Sequence, residues 1–342
     1  MTVGTESARA RRWSFDALVP AHQRRTFEEV GERLDLDVGD TRAKRSGFWA
    51  MLVLSGLIAV AGVITDSTAT VIGAMIVAPL STPILGIGIG IVAADVAKVG
   101  RSAAYVLGGL ATVVALGWIA AQALPSTTDL LANSQVTGRT SPGVGDLVAA
   151  FATGFAGALA LARKDLADVL PGIAIAISLV PPLGVVGVCL GSGQASLALG
   201  ALILFASNAV ALVVAAIVVF TSIGYAREAQ EARSSAGAPR RRAAYVAVAV
   251  ALVVVAVPMV ANTVQAALAD LWLSQSGEAA EQWLSGVPGA QVQDVRWQGK
   301  DVAVDVLFEG DTPDVAPLRE KIDAIVPWDP QVLVVHTVGE TL

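Results

Sequence analysis

Two apolar stretches of this chain are long enough to cross a membrane, and both are broken in the middle by proline. The first, VIGAMIVAPLSTPILGIGIGI from Val71 to Ile91, carries Pro79 and Pro83 with Ser81 and Thr82 between them. The second, LPGIAIAISLVPPLGVVGVCL from Leu170 to Leu190, carries Pro181 and Pro182 after Ser178. In lipid every backbone N–H and C=O needs a partner, so a broken helix survives only when it is buried in protein or lines a wet cavity. This requirement rules out a simple anchor and calls for a bundle built around the breaks.

A crossing helix needs about 20 apolar residues. Candidates are Phe48–Ile64, Ser67–Ala94, Ala103–Leu124, Leu147–Ala162, Leu166–Leu190, Ala195–Gly224 and Ala243–Asn262. Of the 342 residues only 15% are charged, and the mean hydropathy is +0.65, the profile of a polytopic membrane protein. Residues 1–45 hold nine Lys and Arg, the link 225–242 holds five, and 95–102 and 163–165 hold two each. The other links hold Arg139 alone. The positive-inside rule then gives seven crossings, with residues 1–45 cytoplasmic and 263–342 extracytoplasmic. In an alternative layout each broken segment is a hairpin that enters and leaves on one face. The first 45 residues are polar and Arg-rich, so the first crossing is expected to serve as the insertion signal.

Slid by 99 residues, the chain falls on itself. Gly73 meets Gly172, Leu80 meets Leu179, Pro83 meets Pro182, Gly88 meets Gly187 and Asp66 meets Asp165. The expected organisation is a cytoplasmic segment 1–45 with an amphipathic helix, a first membrane repeat 46–124 and an external loop 125–146. A second repeat 147–224, a basic link 225–242, a last crossing 243–262 and an outer domain 263–342 follow. Three crossings per repeat, an odd number, make the repeats inverted in topology, a frequent plan in secondary transporters. Hairpins would make them parallel.

At each break one half-helix exposes carbonyls and the next exposes N–H groups, which can hold an ion or a polar solute. Pro83 suits a first helical turn, with Ser81 or Thr82 as its cap. The candidate binding residues are Pro79, Ser81, Thr82, Pro83, Ser178, Pro181, Pro182 and the intramembrane amide Asn208. The plain alternative is a structural kink. Asp66 and Asp165 are candidate gating or coupling residues, or caps of the broken helices. Asp95 and Asp168 are expected to pair with Lys98 and Lys164. Gly86 and Gly90 form a face for close helix contact. Trp118 and Trp272 suit an outer aromatic belt.

No catalytic constellation is present. An intramembrane aspartyl protease needs two carboxylates sharing a proton, whereas Asp66 and Asp165 fall on opposite faces. One cysteine, Cys189, and two histidines, His22 and His336, leave little for a metal site. No enzyme activity, cofactor or nucleic-acid partner is expected.

The ends differ in character. Phe27, Val30 and Leu34 form an apolar stripe suited to the inner membrane surface or to a protein contact. Beyond Asn262, 13 Asp and Glu face four Lys and Arg. Helix 265–284, strands 291–297 and 301–308, a helix with Val315, Leu318, Ile322 and Ile325, and strand 331–338 make a small α+β domain.

The run GLIAVAGVITDSTATVIGAMIVAPLSTPILGIGIGI, Gly56 to Ile91, resembles the bacterial uncharacterised hydrophobic-domain family, domain of unknown function 389. The likeness covers roughly residues 46–190, with TDS, IGAM, APL and GIGIG its most specific parts. It implies a bacterial inner-membrane module without an assigned activity and brings no catalytic residues. The expectation is a transporter or channel for a small ion or polar solute, with a site where the broken helices cross. A non-transporting scaffold or envelope sensor is the alternative. Small residues on the membrane faces suggest a homo-oligomer.

Overall fold

The computed structural model describes residues 19–123, 130–140, 144–166 and 179–232, with most of 271–337. It forms two compact units, Met1–Val260 and Ala261–Leu342. The crossing expected at 243–262, apart from the single residue Val257, lies outside the described residues, as do Ser178 and Asp168.

In the first unit α1 (Phe27–Leu34) carries a capping box, Thr26 with Glu29, and leads into α2 (Thr41–Ile64), capped by Asp40. The broken pair follows as α3 (Thr68–Val77) and α4 (Ser81–Val92), then α5 (Val96–Ala121). After a 3-10 turn at Leu130–Ala132 come α6 (Ser134–Thr140), α7 (Val144–Ala162), α8 (Val180–Gly191), α9 (Ala195–Ser222) and α10 (Tyr225–Ala232). Among the described residues four helices are long and apolar enough to cross a membrane: α2, α5, 145–162 of α7, and α9. The α3–α4 pair passes the same test as one body bent by 47°.

The two ends of this bundle can be told apart by their contacts. At one end the Lys44 ammonium near the start of α2 donates to Glu32 O and Val38 O, and Lys98 at the start of α5 donates to Gly31 O. Val30 and Leu34 of α1 are buried with Leu85, Ile89 and Val92 of α4, Leu161 of α7 and Phe220 of α9. This end therefore gathers the starts of α2 and α5 and the finishes of α4, α7 and α9. At the other end Asn133 donates to Val63 O of α2, and Gly191 of α8 lies against Ala121 and Trp118 of α5. Here α2, α5 and α8 finish, and α3 begins. The broken pair thus runs the length of the bundle. At about 1.5 Å per residue its halves are about 15 and 18 Å long. Bent by 47°, they still span close to the roughly 30 Å of a hydrocarbon core.

The 99-residue register holds in detail. α4 and α8 share both ends, Ser81–Val92 against Val180–Gly191, and α5 and α9 start at Val96 and Ala195. Their C-caps repeat bond for bond. Ala93, Ala94 and Asp95 N–H groups bond Ile89, Ile91 and Gly90 carbonyls; Ser192, Gly193 and Gln194 bond Val188, Leu190 and Cys189. In each cap the middle residue is left-handed, Ala94 at φ 57° and Gly193 at φ 75°. The packing is reciprocal. A Cβ on Gly88 of α4 would meet Ala216 Cβ of α9 at 2.6 Å and Val213 O at 3.3 Å. A Cβ on Gly187 of α8 would run into Val114 O and, at 2.8 Å, Gly117 Cα of α5. Val114 and Gly117 are the register partners of Val213 and Ala216, so each half-helix packs on the long helix of the other repeat.

Several expectations need correction. Neither Ser81 nor Thr82 caps α4: the half-helix starts at Ser81 itself, two residues before Pro83, with Leu80 at the cap position and no side-chain bond. Of the two readings of the α1 stripe, Val30 and Leu34 follow the protein contact, buried against the bundle. The loop expected at 125–146 contains the 3-10 turn and α6, whose Val136 is fully buried, and it runs into the first turn of α7. Asp95 caps α5 by accepting from Lys98 N–H, while the Lys98 ammonium turns to Gly31 O and to Asp35 at 3.6 Å. Lys164 lies 3.8 Å from Glu29, while its expected partner Asp168 lies outside the described residues.

The second unit has the expected order: helical residues 271–284, β1 (Gln291–Gln298), β2 (Asp301–Leu307), α11 (Ala316–Ile325) and β3 (Val332–Thr337). β2 is central, antiparallel to β1 and parallel to β3. Val302, Val304 and Val306 pack with Leu284, Leu318 and Ile322, as the alternation along β2 demands. Trp272 meets Trp328 edge-on at 5.1 Å, so it serves this core and not an aromatic belt.

Candidate functional site

The first break is three residues long, Ala78-Pro79-Leu80. α3 ends because Pro79 has no N–H to continue the ladder and disfavours helical geometry at Ala78, which is extended at ψ 122°. The last turn of α3 then has carbonyls to satisfy. Buried Ser55 of α2 takes one, donating to Ala74 O at 2.8 Å. Thr82 N–H turns back to Pro79 O at 3.2 Å, and Pro83 removes another donor from the first turn of α4. Pro79, Ser81 and Thr82 are half-buried, and among the described residues no hydrogen bond holds either hydroxyl.

The second break is drier in its described half. α8 begins at Val180 with Pro181 and Pro182 next, all buried. Two of the first N–H groups are therefore missing by covalent structure, which relieves a buried helix start of donors it cannot satisfy. Leu80 and Leu179, one at each half-helix start, belong to one apolar cluster with Leu52, Leu183, Phe205 and Leu212. Both starts therefore border the same apolar cluster, which forms an apolar plug within the bundle.

Asn208 is buried in α9 beside Ser207, whose hydroxyl back-bonds to Leu204 O at 2.8 Å. Its register partner is Gly109, where a Cβ would sit 2.7 Å from Leu80 Cδ2. Asn208 therefore occupies the level of the breaks in the second repeat.

Asp66 and Asp165 lie at opposite ends of the bundle. Asp66, left-handed at φ 50°, accepts from the Ser134 hydroxyl at 2.7 Å and from Gln135 N–H at 3.1 Å. The Ser134 bond holds its carboxyl below the usual aspartate range. Asp165 pairs with Arg163 at 2.6 Å, and that bond likewise lowers its pKa. Both carboxylates are charged at neutral pH and tied to local partners.

Sequence reasoning missed Ser55, Arg25, Asn133 and Gln135. Arg25, 4% exposed, donates to Ala160 O and Leu161 O at the end of α7. Gln135, equally buried, donates to Thr68 Oγ1 at 2.8 Å. Their partners are backbone groups or hydroxyls far along the chain, which no spacing rule reveals. Among the described residues no group of three His, Cys, Asp or Glu is placed to hold a metal.

Comparison with known proteins gives two matches. Residues 75–214 match the family described as domain of unknown function (DUF389). An uncharacterized protein of the archaeon Methanocaldococcus jannaschii is 34% identical over 174 residues, 51% of this chain and 53% of the relative. The chain spans about half the length of that relative, and the likeness is not confined to bacteria. No solved structure matches.

Proposed function

We propose, starting from a chain that belongs through residues 75–214 to the DUF389 family, that this protein is a membrane transporter or channel for a small ion or polar solute. The observation that carries this reading is the broken pair α3–α4. It runs from one end of the bundle to the other, and Leu80 at its break shares an apolar cluster with Leu179 at the start of the matched half-helix. A packing kink needs neither the unheld hydroxyls of Ser81 and Thr82 nor a second half-helix start at the matching position 99 residues on.

The directions of the helices support an inverted repeat. α4 and α8 finish at opposite ends, as do α2 and α7, and α5 and α9. The end with Lys44, Arg45, Lys98, Arg101, Arg163 and Lys164 is then cytoplasmic, and the end with Arg139 is external. With the crossing at 243–262, seven crossings place residues 263–342 outside the cell. The site lies at Pro79, Ser81, Thr82 and Pro83, with Asn208 and the α8 start supplying the matched level of the second repeat. Transport needs no cofactor, and we read the chain as no enzyme. Apolar side chains such as Leu57, Leu107 and Leu199 face outward, where lipid or a second copy covers them.

Flux into sealed liposomes containing the purified protein, screened with small cations and anions, tests this. Ser81→Ala/Thr82→Ala is expected to lower flux about tenfold, the scale of losing about 1.4 kcal/mol of solute contact. Asp66→Asn and Asp165→Asn act at the ends, so they change opening without changing which solute passes. A folded protein with no flux of any tested ion would favour the second reading, a scaffold or sensor. That reading draws its support from the separate compact unit at Ala261–Leu342.

A further inference from the structure

Each repeat is preceded by a short segment that closes one end of the bundle, and the two segments do so in matched ways. Before the first repeat, the Arg25 N–H bonds Ala162 O at 2.8 Å, and its guanidinium bonds Ala160 O and Leu161 O. Before the second repeat, Asn133 Nδ2 bonds Val63 O at 2.7 Å. Val63 and Ala162 are partners in the 99-residue register. Both segments therefore take the last carbonyls of the first long helix of the repeat they do not lead. These are the groups a helix end must satisfy somewhere.

Further bonds complete each closure. At the Arg25 end, Lys164 N–H bonds Gln23 O, Tyr225 OH donates to Arg25 O at 2.7 Å, and Lys98 reaches Gly31 O. Arg24 forms an ion pair with Glu228. At the Asn133 end, Asp66 accepts from Ser134 and Gln135, and Gln135 reaches Thr68. The segments are short, one eight-residue helix and one of seven, each anchored by a few apolar side chains. Elements of this kind open at lower cost than the long helices beneath them.

We propose that residues 20–37 and 130–140 are a matched pair of gates, one at each end of the route through the first break. Arg25 and Asn133 are the latches that hold each gate on the opposite repeat. Both gates are shut in this structure. Opening one while the other stays shut exposes the Ser81–Thr82 break to one side of the membrane only. This rests on the transport reading, but its test does not use flux.

The test reads the accessibility of a single thiol. Thr82→Cys is placed in a Cys189→Ala background and exposed to a membrane-impermeant thiol reagent on one side of sealed vesicles. Arg25→Ala is expected to raise labelling about tenfold from the Arg25 side alone, since it breaks bonds from a buried charged donor. Asn133→Ala is expected to raise it several-fold from the other side alone. A closing variant guards against simple unfolding. Arg24 and Arg163 face each other as an antiparallel pair flanked by the Arg25–Ala162 and Lys164–Gln23 bonds. Such a non-hydrogen-bonded pair has Cα atoms about 4.5 Å apart, within disulfide range. Oxidised Arg24→Cys/Arg163→Cys should abolish labelling at position 82 from the Arg25 side, and reduction should restore it at that position, read by peptide mass so that the two added thiols are counted separately. Labelling that ignores all three changes overturns the proposal. Equal gains on both sides, the mark of general loosening, overturn it too. Side-specific labelling without flux of any solute would remove the transport reading and leave the gates standing.

Discussion

Ala94 and Gly193 do the same work at register-matched helix ends, with φ of 57° and 75°. A left-handed alanine costs roughly 1–2 kcal/mol, which glycine avoids at the expense of some unfolded-state entropy. Ala94→Gly should therefore stabilise the first repeat by about 0.5–1 kcal/mol, read as a higher melting temperature in detergent, while Gly193→Ala should lower it by a similar amount. Nothing in the apolar run around Ala94 marks this position; only its register partner does. The prolines are the opposite case. Pro79, Pro83, Pro181 and Pro182 announce the breaks from sequence because each deletes an N–H wherever it stands. Which residue caps the new half-helix was not legible. Thr82 N–H turns back onto Pro79 O, and that turn puts Leu80, not a hydroxyl residue, at the cap. Arg25 and Asn133 were equally hidden, since each answers to carbonyls whose helix ends 70 or more residues away.

At the scale of elements, the repeat was legible because a broken helix needs the same residues each time: glycine where another backbone comes close, proline where the ladder stops. The exchange of partners was not, because α4 packing on α9 and α8 on α5 leaves no mark on either sequence alone. Gly88 and Gly187 carry that exchange. Gly88→Ala should cost about 1–3 kcal/mol by overpacking against Ala216. Because the nearest obstacle is the Ala216 methyl at 2.6 Å, Gly88→Ala/Ala216→Gly should recover most of the loss. Thermal unfolding of the single and double variants measures the coupling, and strict additivity would mean that Gly88 answers to Val213 O instead. Gly187→Ala should have no such rescue, since it meets only backbone atoms of α5. The α1 stripe teaches the same lesson. Phe27, Val30 and Leu34 fit lipid or protein equally well, and only Leu85, Ile89 and Phe220 decide between them.

At the scale of the molecule, the composition identifies a membrane bundle and an acidic domain, and the chain divides at Val260–Ala261 accordingly. The second unit buries its own core, with Val302, Val304 and Val306 of β2 packed with Leu284 and the α11 residues Leu318 and Ile322. The bundle keeps its own apolar clusters through α2, α4, α5, α7, α8 and α9. Among the described residues each cluster is built from one unit alone, so removing one unit should not empty the core of the other. Deletion of 265–342 should then leave the bundle folded, with a melting temperature in detergent close to that of the full chain. If the bundle is the transporter, liposome flux per protein should stay within about twofold, because the break, the plug and both closing segments all lie before residue 233. A truncated protein that keeps its melting transition but loses flux would place the working part in the acidic domain. The broken helices would then be the scaffold that holds that domain at the membrane.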